Sequence, residues 1–196
     1  MVSHDFRFIA GDTALDFINT LRISDGLLEH LESFDDLLDW LIEAGLADRA
    51  QTRALRAYSG TAKARQALKD ARDLRAAIRQ SALRVADGKT VAPETLRIVN
   101  ELLAVSVGHP VLRSQGAQIA QSYSLTLDDP CDALVPIAWA ARDLLVFREP
   151  SLIKKCKSGD CMLLFYDRSK NHRRSWCSMS SCGNRAKVSA FRKRSR

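Results

Sequence analysis

The sequence predicts a mostly α-helical protein with two parts of unequal size. Residues 1–150 carry apolar residues at helical spacing in several segments, interrupted by one stretch that alternates as in a β-hairpin. After Pro150 the composition changes, and four of the five cysteines follow. We therefore expect a helical N-terminal domain over residues 1–150 with a small β-hairpin. A C-terminal module over residues 151–196 should consist of a second β-hairpin and a helix.

Capping residues mark where the first helices begin. Their side-chain oxygens can accept hydrogen bonds from the free N–H groups at a helix start. These signals are Asp12 before Thr13, Ser33 paired with Asp36, and Asp48 before a segment that fades at Ser59-Gly60. Gly45 is expected to end the second of these helices, because glycine readily adopts the conformation that follows a helix C-terminus.

The clearest helix runs from Thr61 to Ala86 and is stopped by Asp87-Gly88. Its apolar face comprises Ala64, Ala67, Leu68, Ala71, Leu74, Ile78 and Val85. Basic residues alternate with this face, and we expect them mostly to point to solvent: Lys63, Arg65, Lys69, Arg72, Arg75 and Arg79. Because Asp70 and Asp73 lie among them, a solvated face is favoured over a nucleic-acid surface.

Two more helices flank the predicted hairpin of the N-terminal domain. Pro93 suits the first position of a helix that continues to Val105. Alternation near Tyr123 and turn residues near Gly116 predict the hairpin within residues 111–127. Asp129-Pro130 then opens a helix through Phe147, and we place the domain boundary at Pro150.

The C-terminal cysteines form two Cys-x4-Cys pairs separated by fifteen residues: Cys156 with Cys161, and Cys177 with Cys182. Four thiolates suit tetrahedral Zn²⁺, and each short pair can bring two sulfurs to one ion. The alternative is a pair of disulfides. The N-terminus lacks the pattern of a signal peptide, so we expect a cytoplasmic, reduced protein in which these cysteines bind one structural zinc.

The fifth cysteine and the histidines give no catalytic pattern. Cys131 has no cysteine nearby and is expected to be a small buried residue. A four-thiolate zinc has no open position for water, and no nucleophile elbow, phosphate loop or catalytic zinc motif is present. No apolar run is long enough to span a bilayer. We therefore expect neither an enzyme nor a membrane protein.

Positive charge is concentrated in the C-terminal module. From Ser151 onward thirteen Lys or Arg stand against two Asp, a balance of +11, whereas the preceding residues carry seventeen basic and twenty-one acidic side chains, a balance of −4. Four thiolates around Zn²⁺ would lower the module to about +9. A small domain with such one-sided charge is suited to binding a polyanion such as DNA, RNA or an anionic membrane surface.

The spacer between the cysteine pairs predicts the fold of the module. Met162–Tyr166 should form one strand, residues 167–171 a turn, and His172–Trp176 the returning strand. A helix from about Met179 to Arg194 would follow, with Ala186, Val188, Ala190 and Phe191 supplying apolar contacts. The two cysteine-bearing turns are Cys156–Cys161, the first knuckle, and Cys177–Cys182, the second knuckle. The order of first knuckle, hairpin, second knuckle and helix is that of a treble-clef zinc finger.

The C-terminal sequence closely resembles the CGNR-type zinc finger. The resemblance covers about Pro150 to Arg194 and rests on Cys-x4-Cys, Phe165–Asn171, Arg174–Met179 and Cys182-Gly-Asn-Arg-Ala-Lys187. The opening Ala10–Thr20 also resembles the start of the ABATE domain, which usually precedes this finger. The resemblance implies a bacterial transcription regulator with a DNA-binding finger and an N-terminal ligand-sensing or stress-responsive module, with nucleoid association in the cytoplasm.

Basic and polar side chains around the finger are the candidate nucleic-acid contacts. Arg185 near the helix start could hold a phosphate, which the bare backbone of Gly183 would allow to approach. Asn184 could read a base edge or support the thiolates. Trp176 could be core beside the zinc or a stacking surface for bases. The full candidate set is Arg168, Lys170, Arg173, Arg174, Asn184, Arg185, Lys187, Arg192, Lys193 and Arg194.

The leading hypothesis is a zinc-dependent, DNA-binding transcription regulator whose N-terminal domain senses a small-molecule effector or partner, or forms a homodimer. An RNA-binding or ribosome-associated zinc protein would carry the same basic footprint. Asp16 and Asn19 lie among apolar neighbours, and together with Asp12 they are candidates for an effector pocket. For Asp16 and Asn19, hydrogen bonding to loop backbone is the alternative.

Overall fold

The computed structural model describes residues 5–23, 26–105, 107–116 and 118–194. The α-helices are α1 (Thr13–Ile18), α2 (Phe34–Glu43), α3 (Arg49–Thr52), α4 (Ala62–Ala86), α5 (Pro93–Leu103), α6 (Val135–Phe147) and α7 (Asn184–Arg194). The strands are β1 (Leu21–Ile23), β2 (Leu27–Glu29), β3 (Gly108–Gln115), β4 (Gln118–Leu125), β5 (Ile153–Lys155) and β6 (Leu164–Tyr166), and they pair consecutively as antiparallel hairpins. Short 3₁₀ turns lie at Leu55–Tyr58, Pro130–Leu134 and Pro150–Leu152. The prediction of a mostly helical protein with small hairpins is confirmed.

The predicted capping residues begin the helices as expected. Asp12 accepts a hydrogen bond from the backbone N–H of Ala14 at 3.1 Å, and Ser33 and Asp36 form a reciprocal capping box at the start of α2. Thr61 caps α4, and Pro93 is the first residue of α5. These local contacts satisfy N–H groups that a helix start would otherwise leave unpaired.

Helix α1 lies at the centre of the core, against α4 and α6. Leu15, Phe17 and Ile18 are fully buried, and the ring of Phe17 lies 5.0 Å from that of Trp40 in α2. Small residues on α4, such as Ala67 and Ala71, are also fully buried, and their size allows neighbouring elements to approach closely. The apolar face predicted for α4 is therefore the face that builds the core.

Two arginines of α4 depart from the predicted solvent face. Arg75 is only 5% exposed, and it forms an ion pair with Glu29 of β2 and donates to the hydroxyl of Thr20 at 2.9 Å. Arg79 is half-buried. The physical reason is tertiary, because the β1–β2 hairpin supplies the carboxylate that neutralises Arg75. This hairpin is not among the elements that the sequence predicts.

The hairpin predicted within residues 111–127 is present as β3 and β4. Gln115 pairs with Gln118 next to the turn, and the ladder continues to Gly108 opposite Leu125. Leu112 and Ile119 are exposed on this hairpin. Cys131, expected to be buried, is exposed because it lies on the 3₁₀ turn that precedes α6.

The C-terminal hairpin uses a different partner strand from the one predicted. β6 pairs with β5, which precedes the first cysteine pair, with Ile153 opposite Tyr166. Residues 172–176, expected to return as a strand, form no strand. Their backbone is used elsewhere, since the carbonyl of Ser175 accepts a hydrogen bond from the N–H of Lys157. The first knuckle therefore lies inside the hairpin, between its two strands.

Helix α7 follows the second knuckle as predicted, but it does not pack as predicted. Val188 and Phe191 are 49% and 64% exposed, so they are not the core contacts that the sequence suggested. Most of the described side chains of this helix are exposed to solvent. In the part of the chain that the structure describes, no helix is both long and apolar enough to cross a membrane.

Candidate metal centre and basic surface

The four C-terminal cysteines converge as predicted. Cys156 and Cys161 lie in the loop between β5 and β6, Cys177 follows a second loop, and Cys182 lies on a π-helical turn before α7. Their sulfurs are all within 4.8 Å of one another, with Cys161–Cys177 at 3.8 Å and Cys177–Cys182 at 3.5 Å. Zn–S bonds of about 2.3 Å in a tetrahedron place sulfurs about 3.8 Å apart. The cluster therefore fits one Zn²⁺, which four thiolates would hold as a structural ion.

Backbone hydrogen bonds hold the two knuckles in position. The N–H of Cys177 donates to the sulfur of Cys156 at 3.4 Å, which joins the second knuckle to the first. The N–H of Cys161 bonds the carbonyl of Ser158 at 3.0 Å, closing the turn of the first pair. His172, the other metal-binding residue type nearby, is not part of the sulfur cluster.

Crowding of the sulfurs explains why a cation belongs among them. The hydrogen bond with Cys161, burial and the charge of Cys161 all raise the pKa of Cys177. Ionisation of a further cysteine to the thiolate is therefore unfavourable unless a cation binds at the same time. A dication supplies that charge and allows all four sulfurs to ionise.

Arg185, rather than Asn184, supports the thiolates. The guanidinium of Arg185 donates to the sulfur of Cys182 at 3.1 Å, and this contact raises the pKa of Arg185. The amide of Asn184 instead donates to the carbonyl of Ser180 at 3.3 Å and stays exposed. Gly183 is buried, and a Cβ there would meet the sulfur of Met179 at 2.9 Å. Its lack of a side chain accommodates Met179 and Trp176, not an approaching phosphate as expected.

The residues suggested for an effector pocket bond to the protein itself. Asn19 is 4% exposed; its amide donates to the carbonyl of Leu164 at 2.8 Å, and its oxygen accepts from the N–H of Leu164 at 3.2 Å. Asp16 accepts from the N–H of Ala10 at 2.8 Å. Asp12 caps α1 and pairs with Arg148 at 2.9 Å. The backbone contacts of Asp16 and Asn19 are of the kind that the alternative interpretation predicted, whereas the ion pair of Asp12 with Arg148 was not predicted.

The bonds of Asn19 extend the edge of the C-terminal hairpin. The N–H of Cys156 bonds the carbonyl of Leu163, so Lys155 and Leu164 form a non-hydrogen-bonded pair of the ladder. The N–H and carbonyl of Leu164 therefore point away from β5, where Asn19 satisfies both. The N–H of Tyr166 bonds the carbonyl of Ala10 at 2.7 Å in the same way. The N-terminal segment and α1 thus dock the module along β6.

Arg174, a candidate nucleic-acid contact, lies in this docking interface. Its guanidinium donates to the carbonyls of Ile9, Trp176 and Cys177, and it lies 4.4 Å from the ring centre of Phe165. A side chain with these partners links the N-terminal segment to the backbone of a metal ligand. We therefore place Arg174 in the architecture of the junction and not on the outer surface.

Asp167 organises the loop that carries the basic residues. It is fully buried, and its carboxylate accepts hydrogen bonds from Lys154 at 2.6 Å, from both the N–H and the hydroxyl of Ser169, and from the N–H of Arg174. Burial disfavours the charged carboxylate, but the hydrogen bonds from these donors favour it more strongly. They hold the pKa of Asp167 below its ordinary value. The loop over residues 167–174 is therefore fixed by one buried carboxylate.

Residues 11–146 match the ABATE family, whose description is "Putative stress-induced transcription regulator". The chain belongs to the ABATE family. Residues 153–195 match the CGNR zinc finger. A comparison with curated protein sequences finds no matching relative. Both matched families are regulator or zinc-finger families rather than enzyme families.

The remaining basic residues of the CGNR finger form an exposed surface. Its six members form no ion pair with another residue in the part of the chain that the structure describes: Lys157, Arg168, Lys170, Arg173, Lys187 and Arg192. Lys154 and Lys155 differ, because they pair with Asp167 and Asp87. Lys193 and Arg194 lie on α7, and their side chains are outside the described part. A groove of about 530 Å³ between Lys157, Trp176 and Arg185 adjoins this surface.

Sequence reasoning missed the arginines that link the ABATE region to the finger. Arg148 pairs with Asp12 and lies 5.6 Å from the ring centre of Tyr166 on β6. The guanidinium of Arg79 donates to the carbonyl of Met162, the residue after Cys161. Arg79 lies two four-residue steps after Ala71, which is on the buried side of α4. This spacing could have predicted that Arg79 points towards the interior.

Proposed function

We propose that the protein is a zinc-dependent, DNA-binding transcription regulator. The CGNR finger, within residues 151–196, binds DNA, and the N-terminal domain, within residues 1–150, responds to an effector or partner. The observation that carries the proposal is the charge of the finger, with thirteen basic residues against two acidic ones. Zinc and its four thiolates leave about +9 on this module, a charge suited to the phosphate backbone.

The exposed basic surface supports phosphate contacts by most of the candidate residues. Lys157, Arg168, Lys170, Arg173 and Lys187 are exposed, and Asp167 fixes the loop that presents three of them. Fixed positions reduce the conformational entropy lost when DNA binds. Arg185 is exposed while it contacts the sulfur of Cys182, so it can carry a phosphate contact next to the metal.

Helix α7 is suited to lie in a DNA groove because so little of it packs against the protein. It begins at Asn184, whose side chain is exposed and could present a donor and an acceptor to a base edge. An RNA-binding protein would carry the same charge, and a long exposed helix favours the major groove of duplex DNA over the deep, narrow one of RNA. Duplex DNA is therefore the leading partner.

A cleft in the N-terminal domain is the favoured place for an effector. Its volume is about 820 Å³, and its lining includes Trp139, Arg49, Asp12 and Arg148. Of the three earlier candidates, only Asp12 borders it. Arg148 also lies over Tyr166 of the finger, so an anion that drew Arg148 from Asp12 would act directly on the junction.

Binding measured against salt tests the proposal. The zinc-loaded protein should select duplex genomic sites in preference to structured RNA, and log K should fall with log salt at a slope of about −5 to −7 for five to eight phosphates. Lys187→Ala should reduce that slope by about one, whereas Lys69→Ala, an exposed lysine on α4, should leave it unchanged. The selection is repeated with small metabolites to detect an effector. Salt-independent binding, or stronger binding to RNA, would overturn the proposal.

A further inference from the structure

Arg79 lies where the N-terminal domain meets the metal-binding loop. It belongs to α4, its side chain is half-buried, and its Nη2 donates to the carbonyl of Met162. Met162 immediately follows Cys161 in the chain. The guanidinium is therefore anchored on the backbone of the first knuckle by a residue that is distant in sequence.

The second amino group of Arg79 differs from the first in its hydrogen bonding. Its Nη1 is buried and has no hydrogen-bond partner among the described residues. An arginine donor left in that state is costly unless negative charge lies close by. Cys161, the residue before Met162, would supply such charge as a thiolate ligand of Zn²⁺. The pKa of Arg79 is lowered by burial, and the charge of Cys161 opposes this effect only in part.

The charge of the metal centre would favour a cation beside it. Zn²⁺ with four thiolates has a net charge of −2. Arg185 of the finger itself contacts the sulfur of Cys182 and offsets part of that charge. We propose that Arg79 is a positioning residue of the zinc centre, contributed by the N-terminal domain, that offsets the charge on the side of Cys161 and holds the first knuckle ready for the ion.

Zinc affinity then depends on the docked N-terminal domain as well as on the finger. A change that withdraws α4 from the first knuckle removes a positive charge from the thiolates and weakens metal binding. By linkage, zinc binding stabilises the docked arrangement by the same free energy.

The test uses the full chain loaded with zinc and a chromophoric chelator in competition. Arg79→Gln should weaken zinc binding by about tenfold or more, the range seen when partners of metal ligands are removed. Arg65→Gln is the matched control, since Arg65 is an exposed arginine of α4 that donates to the carbonyl of Gly60. The control should remain within about twofold of the original protein.

Cobalt substitution separates charge compensation from a general loss of structure. Removing a cation raises the energy of the sulfur electrons, so the thiolate-to-cobalt absorption band of Arg79→Gln should move to longer wavelength. Arg79→Lys keeps the charge but not the planar fork, and it should weaken zinc binding by about threefold with a smaller band shift. Unchanged zinc affinity and an unchanged band in Arg79→Gln would overturn the proposal. If that variant does not fold, Arg79→Lys decides, and unchanged affinity there overturns it.

Discussion

Asn19→Ala tests whether one amide side chain holds the finger on the N-terminal domain. The change removes both hydrogen bonds to Leu164, which is fully buried, and leaves its N–H and carbonyl without partners. Each buried polar group left unsatisfied costs about 1–3 kcal/mol, so the expected loss is about 2–6 kcal/mol in the free energy of unfolding. Since small domains are stable by about 5–15 kcal/mol, this loss would be a large fraction of the total.

Urea denaturation of the zinc-loaded protein, followed by circular dichroism, measures that loss. Asn100→Ala is the matched control, because Asn100 is exposed on α5, and its effect should stay within about 0.5 kcal/mol. Zinc content is determined in both variants, so that metal loss is distinguished from loss of the junction. A destabilisation below about 1 kcal/mol in Asn19→Ala with zinc retained would refute the role assigned to this side chain.

Two further predictions concern protonation and the metal. Burial raises the pKa of Asp16 from its ordinary value of 3.8 to about 6, against hydrogen bonds from Ala10 and Ile9 and the charge of Arg168, and with the charge of Asp12. The folded state therefore binds this proton more tightly than the unfolded state. The protonated side chain stabilises the fold below about pH 4, and this contribution to the free energy of unfolding is lost as the pH rises through about 6. The total loss is about 3 kcal/mol. Relative to Asp16→Asn, the original protein should lose stability over that range, and parallel pH profiles of the two proteins would contradict this. Elemental analysis should find about one zinc per chain; Cys182→Ser should lose it and Cys131→Ser should keep it, and full zinc in Cys182→Ser would refute the four-cysteine site.

Local signals in the sequence predicted most of the helices because those signals act over a few residues. The capping of α1 by Asp12, the box of Ser33 and Asp36, and the start of α5 at Pro93 each depend on neighbours in the chain. The four-cysteine cluster was equally accessible, since paired thiols at short spacing already limit the ligand geometry.

The errors arose where a residue's environment is set by distant parts of the chain. β6 takes β5 as its partner, and residues 172–176 are drawn instead to the first knuckle through Ser175. The α7 residues Val188 and Phe191 have helical spacing, yet about half or more of each side chain is exposed. Periodicity shows which residues share a face, and it cannot show what that face meets.

The same limit applies to polar residues, and it changes how the polar residues near the start of the chain are interpreted. Asp12, Asp16 and Asn19 have the composition of a binding pocket, yet their partners are Arg148, Ala10 and Leu164. Two of those partners lie more than a hundred residues away in sequence. A polar residue among apolar neighbours therefore indicates that a partner exists, while only the fold tells whether it is a ligand or the chain itself.

The junction gives a physical reason for the two regions to act together. Arg174 joins the carbonyl of Ile9 to that of the metal ligand Cys177, and Asn19 and Ala10 satisfy the outer edge of β6. A shift of the N-terminal segment would therefore break bonds to the strand and to the second knuckle at once. Because coupling between two sites is reciprocal in free energy, binding that rearranges this segment must alter the finger, and binding at the finger must alter the segment.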